Sequence, residues 1–125
     1  MRARILHAVV TKAVKPASDD LQMLTRLCRA NEVPEQGVKQ VAPPGKDAEY
    51  AVYRLDGEFF CTDDLCTHGM ASLSYGDVED GIINCPMHGG AFEIRTGKPA
   101  ALPCRLPLKT YQVVVVDADL FADLG

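Results

Sequence analysis

The chain has 125 residues, 47% of them apolar and 24% charged, and carries a formal net charge of −4. This length suits one compact domain whose core needs no disulfides, the negative charge disfavours nucleic acid as a partner, and no apolar run approaches the ~20 residues of a membrane span. The five cysteines, an odd and scattered set, do not read as a secreted disulfide framework, so a reducing cytoplasm is the expected compartment.

Residues 1–22 differ from the rest. Arg2, Arg4, Lys12 and Lys15 make them basic, and no acid precedes Asp19. Ile5, Leu6, Val9, Val10 and Val14 fall on one helical face that Pro16 ends. The segment reads as an N-terminal extension, disordered or non-conserved; a docking helix and a transit peptide are the alternatives. Met23 stands directly before the first strand-like run and is a candidate translation start. His7 reads as a surface residue.

From residue 23 to 125 the pattern is one of short strands and turn signals, with no sustained helical period. Strands are expected at Leu24–Arg29, Val38–Ala42, Tyr50–Leu55, Glu58–Thr62, Ile82–Cys85, Ala91–Arg95, Lys109–Val116 and Leu120–Leu124. Asn31–Gly37 is a polar connection, and Pro43-Pro44-Gly45 is a turn. Asp56-Gly57 predicts a tight hairpin, because a type I′ turn needs positive φ at both central residues; Asp80-Gly81 is a second turn of this kind. The fold class is all-β, a sandwich or small barrel in a single domain.

Two short motifs carry the chemistry. Cys66-Thr67-His68 is followed, after residues 69–84, by Cys85-Pro86-Met87-His88. Each is expected in a loop at the tip of a hairpin, where a rigid β scaffold presents reactive groups. Two thiolates and two imidazoles can hold a [2Fe–2S] cluster, with cysteines on one iron and histidines on the other. Neutral imidazoles in place of two thiolates remove negative charge and raise the potential into a range of roughly −150 to +300 mV. Gly69 follows His68 and Gly89-Gly90 follow His88, allowing tight turns that bring backbone N–H groups near the sulfurs; ordinary turn glycines are the simpler reading. A mononuclear zinc site uses the same donor types and is the alternative metal. A Cys–His nucleophile pair lacks any acid to orient the base.

These residues bring a family into view. Asp64-Leu65-Cys66-Thr67-His68-Gly69, Cys85-Pro86-Met87-His88-Gly89-Gly90-Ala91-Phe92 and Thr96-Gly97-Lys98-Pro99 closely resemble the motifs of Rieske-type ferredoxins from bacterial aromatic-ring-hydroxylating dioxygenase systems, particularly the naphthalene and biphenyl kind. The resemblance covers about residues 24–122. It implies a Rieske fold: an antiparallel β sandwich base with a smaller cluster-binding subdomain at about 61–103. It implies one [2Fe–2S] cluster per chain, with Cys66 and Cys85 on the inner iron. His68 and His88 would bind the outer iron through Nδ1, their outer edges facing solvent. Pro99 and Pro103 would lie in or near a loop covering the cluster.

Respiratory and photosynthetic Rieske proteins carry a further cysteine in each ligand loop, and the two form a disulfide; here Met70 or Ala71, and Met87, stand instead. The resemblance therefore implies a low-potential soluble ferredoxin, a monomer and not itself an enzyme. It would carry single electrons from an NAD(P)H-dependent flavin reductase to a terminal oxygenase. The small Rieske-type subunit of an assimilatory nitrite reductase is the alternative.

The chain departs from the family pattern at Gly89, where Gln is common, and at Tyr75, where Asp is common. Tyr75 is expected to pack locally, with altered partner docking as the alternative. Cys28, Cys61 and Cys104 are expected to be small buried hydrophobes, with a Cys61–Cys104 disulfide as the alternative. Asp63, Asp64, Asp77, Glu79 and Asp80 lie beside or between the ligand loops and suggest an acidic collar for steering partners.

Overall fold

The structure, a computed structural model, describes residues 23–87 and 89–125. The expectations for residues 1–22, including the helical face Ile5–Val14 and His7, lie outside the described residues, as does the placement of His88.

The strands are β1 (Thr25–Arg29), β2 (Gly37–Val41), β3 (Tyr50–Leu55), β4 (Glu58–Asp63), β5 (Asp77–Glu79), β6 (Ile82–Asn84), β7 (Ala91–Glu93), β8 (Pro99–Ala101), β9 (Thr110–Tyr111), β10 (Val113–Val116) and β11 (Asp119–Ala122). They form three antiparallel sheets, in the orders β1-β11-β10, β2-β3-β4-β9 and β5-β6-β7-β8. Among the described residues, no helix is long and apolar enough to cross a membrane. The all-β expectation, with a sandwich base and a smaller additional sheet, holds.

Alternation along β3 explains how one sheet supports two cores. Tyr50 and Val52 point into a cluster with Leu27, Val115 and Leu120. Ala51, Tyr53 and Leu55 point the other way, against Ile83 and Phe92 of the third sheet and Ile94 just after it. Period-2 side-chain geometry therefore places the β2-β3-β4-β9 sheet at the centre, buried on both faces. Tyr53 is fully buried, and its hydroxyl pairs with Thr62 Oγ1 at 2.9 Å, which removes the ~1–3 kcal/mol cost of an unpaired buried group.

The two Asp-Gly turns form as expected: φ is 51° and 81° at Asp56 and Gly57, and 53° and 77° at Asp80 and Gly81. The β10–β11 hairpin uses the same geometry at Asp117 and Ala118, with φ of 50° and 74°.

Three differences from the sequence expectation stand out. The run Lys109–Val116 is not one strand. Tyr111 pairs with Cys61 of β4, whereas Val113 pairs with Ala122 of β11. The chain leaves the central sheet at Gln112 and enters the first, turning a corner of the sandwich. β5 and β8 also form, although their sequences gave no strand signal; each adds an edge to the β6–β7 hairpin. Finally, Asn31–Gly37 is not purely a polar connection. Ala30–Glu32 makes a 3₁₀ turn, and Val33 is fully buried in the first core.

Candidate metal centre

The two motifs lie in loops closed in the same way. Cys66 N–H donates to the Ala71 carbonyl at 2.9 Å, and Cys85 N–H donates to the Gly90 carbonyl at 2.8 Å. Each cysteine thus opens a six-residue loop spanned from its own amide to the carbonyl five residues on. The first loop follows β4 and is flanked by a Leu65–Ser72 bridge. The second joins β6 to β7.

Both loops turn their cysteine inward. Cys66 and Cys85 are buried, at 2% and 6% exposure, within the core that joins the central and third sheets. The two thiols are neighbours. Burial raises the Cys85 pKa most, and the Cys66 thiol beside it adds to the rise, while a hydrogen bond from the Met87 backbone N–H lowers it. That N–H, two residues along the loop, is aimed where a thiolate sulfur would carry charge. His68 lies on the exposed side of the first loop. Two adjoining thiols with an amide aimed at one of them supply the soft donors that an iron–sulfur cluster takes, and the exposed His68 stands two residues after Cys66 in the same loop. Among the described residues, no three His, Cys, Asp or Glu side chains group around one metal ion, and His88, the fourth residue of the motif, lies outside them.

The surrounding segments fix the loops in place. Asp64, immediately before the first loop, is 2% exposed. Its Oδ2 accepts Gln40 Nε2 at 2.7 Å, and its Oδ1 accepts the Ser74 N–H at 2.8 Å. This corrects the acidic-collar expectation: Asp64 is an internal brace and faces no partner. Asp63 is half-buried and accepts Tyr111 Oη at 2.6 Å, whereas Asp77, Glu79 and Asp80 are exposed. From the other side, Thr67 Oγ1 donates to the Leu106 carbonyl at 2.9 Å, tying the first loop to the segment after β8 that carries Pro103.

Cys104 makes a contact that sequence reasoning did not anticipate. It is buried, as expected, but it is more than a hydrophobe: its Sγ lies 3.7 Å from Cys66 Sγ. All five cysteines are free, and Cys61 and Cys104 sit in different cores, so the disulfide alternative fails. Gly90 is required here because a Cβ at that position would collide with Cys104 Sγ. Gly89 takes φ of 71°. Gly69 borders open space.

Tyr75 is 74% exposed and does not pack locally as expected. Other exposed apolar side chains are Leu65 and Met70 beside the first motif, Met87 in the second, and Leu102 and Leu106 in the segment after β8. Sequence pattern gave no signal for this, since loop residues carry no period from which burial can be read.

The Rieske [2Fe-2S] domain model matches residues 23–112. The ferredoxin component of the p-cumate 2,3-dioxygenase system of Pseudomonas putida is 43% identical over 107 residues, covering 85% of this chain and 90% of that one. The Sphingomonas yanoikuyae B1 ferredoxin structure aligns with a TM-score of 0.76 at 44% identity, covering 80% and 97% of the two chains. A chain in a complex of reduced oxygenase and oxidized ferredoxin of carbazole 1,9a-dioxygenase aligns with a TM-score of 0.75 at 39% identity, covering 82% and 94%.

Proposed function

The chain belongs to the Rieske [2Fe-2S] domain family, and from that premise we propose that it is the soluble ferredoxin of a multicomponent aromatic-ring dioxygenase. It takes single electrons from an NAD(P)H-dependent flavin reductase and delivers them to the terminal oxygenase. It is an electron-transfer component, and the oxygenase carries out the chemistry on the aromatic ring.

One cluster per chain would be held by Cys66 and Cys85 on the inner iron and by His68 and His88 on the outer iron. The observation that carries this reading is the pair of matched loops, which bring Cys66 and Cys85 together in the core while His68 stays at the surface. When bound, such a cluster supplies a one-electron couple at a potential raised by its imidazoles. The protein's share is to bury the sulfur side, aim the Met87 amide at Cys85 and leave His68 near solvent. Met70, Met87, Leu102 and Leu106, all exposed, would form an apolar ring for brief docking around the electron-exit point. Domain bounds of 23–125, with the cluster-binding unit at about 61–103, a monomeric state and a cytoplasmic setting complete the proposal.

The named relatives favour this reading over the small subunit of a nitrite reductase. EPR of the purified protein before and after dithionite tests the cluster. A silent oxidised state and a rhombic reduced signal, with average g below that of an all-thiolate cluster, is the expected result. A colourless, zinc-containing protein silent in both states refutes it. Restored NADH-dependent turnover when the ferredoxin is added to a reductase and an oxygenase tests the role.

A further inference from the structure

A third thiol, Cys104, lies beside Cys66, and the proposed ligation uses only Cys66 and Cys85. Cys104 Sγ is 3.7 Å from Cys66 Sγ, within the range of a sulfur hydrogen bond. Its position is set from three sides. Its own N–H donates to the Ala101 carbonyl at 3.1 Å, closing a turn after β8. The Ala91 backbone N–H donates to its sulfur. Gly90 offers a bare Cα where any side chain would push the sulfur away. If Cys66 serves as a thiolate ligand it has no proton to give, so Cys104 is the only donor of the pair.

We propose that Cys104 is a positioning residue for the cluster, its S–H donating to Cys66 Sγ and favouring the reduced state. This rests on the proposed cluster reading. Reduction adds negative charge that spreads onto the ligand sulfurs, and a donor aimed at one of them stabilises that charge. The contact also joins three separate segments: the first loop through Cys66, the second through Gly90 and Ala91, and the covering segment through Cys104 itself.

The test is the midpoint potential, by protein-film voltammetry, of the parent protein and the Cys104→Ala and Cys104→Ser variants, alongside their reduced EPR spectra. Removing the donor should shift the reduction equilibrium about tenfold toward the oxidised state, the size of one modest hydrogen bond; for a one-electron couple this is about 59 mV downward. Serine restores a stronger donor and should move the potential above the parent's. Ala and Ser variants that share the parent's potential, or shift together, overturn the proposal, because packing alone would not separate them. Should the alanine variant fail to retain iron, the serine variant decides: a potential above the parent's supports the proposal, and one at or below it overturns it. A parent without a reduced rhombic signal refutes the cluster reading and this proposal with it. A parent with that signal and unresponsive variants refutes only the role of Cys104.

Discussion

Gln40 Nε2 donates to Asp64 Oδ2 across 2.7 Å, tying the β2 edge of the central sheet to the residue that launches the first ligand loop. The same carboxylate holds the Ser74 N–H at the far end of that loop, and the Asp64 carbonyl accepts the Leu73 N–H at 2.7 Å. One buried side chain therefore pins both ends of the loop to the base. Asp64→Ala leaves the Ser74 amide and the Gln40 side chain without this partner in a site closed to water. The expected cost is about 2–4 kcal/mol, read as a lower urea midpoint, with reduced iron content per chain. Asp64→Asn should cost less, because an amide can accept from Ser74 and pair with a flipped Gln40. Equal behaviour of both variants and the parent would show that the loop is held by other means.

Electrostatic steering falls to the exposed acids. Asp77, Glu79 and Asp80 share the β5–β6 hairpin. Glu79→Lys combined with Asp80→Lys should slow reduction by the reductase severalfold at low ionic strength. The difference should vanish near 1 M salt, where screening acts over about 3 Å. Stopped-flow rates across a salt series check this, and a deficit that persists at every salt concentration would mean the hairpin acts through shape instead.

Alkaline stability should depend on Cys28. This thiol is 3% exposed, and burial first, then the negative charges of Glu32 and Asp119, push its pKa from 9.0 up to about 11, with Lys39 and Arg26 opposing. Below pH 9 the thiol is neutral in both folded and unfolded chains and costs nothing. Between 9 and 11 the unfolded chain releases the proton and the folded one keeps it, so stability falls as pH rises through that window. The loss is roughly 2 kcal/mol at pH 11. Cys28→Val should flatten this slope in urea titrations between pH 8 and 10.5. Some slope will remain, because burial also raises the Cys61 and Tyr53 pKa values.

Much of this was legible because the deciding residues act locally. Asp56-Gly57 and Asp80-Gly81 specify their hairpins through their own φ preferences, and the Cys-x-His and Cys-x-x-His motifs each mark out a short loop whose cysteine is buried. Non-local information was invisible. The break at Gln112 falls in a run rich in strand formers, and only pairing with β4 on one side and β11 on the other divides it. β5 and β8 are short edges that exist because the β6–β7 hairpin offers them partners. Asp63 and Asp64 are adjacent and chemically identical, so no sequence pattern separates the one that bonds Tyr111 from the one buried under the loop. Cys104 looked like a core hydrophobe because its neighbour Cys66 is 38 residues away in the chain.

Two glycines with nearly the same φ offer a contrast that isolates the segment after β8. Gly57 has φ of 81° and Gly97 has φ of 80°, so alanine at either position incurs left-handed strain of about 1–2 kcal/mol. At Gly57 a Cβ meets nothing within 4 Å, whereas at Gly97 it runs into the Leu108 carbonyl and approaches Thr110 Cγ2 at 3.0 Å. The Gly97 carbonyl also accepts the Leu108 N–H at 2.8 Å, so the collision displaces the anchor at the end of the segment that carries Pro103, Cys104 and Leu106. Gly57→Ala should lower the urea midpoint modestly and leave iron content and the reduced EPR signal unchanged. Gly97→Ala should destabilise further and, separately, accelerate cluster loss under air, because the segment tied to Thr67 through Leu106 no longer seats against the first loop. Bleaching of visible absorbance at a fixed temperature well below unfolding reads that second effect directly. Equal bleaching rates in the two variants would show that the segment after β8 does not guard the site.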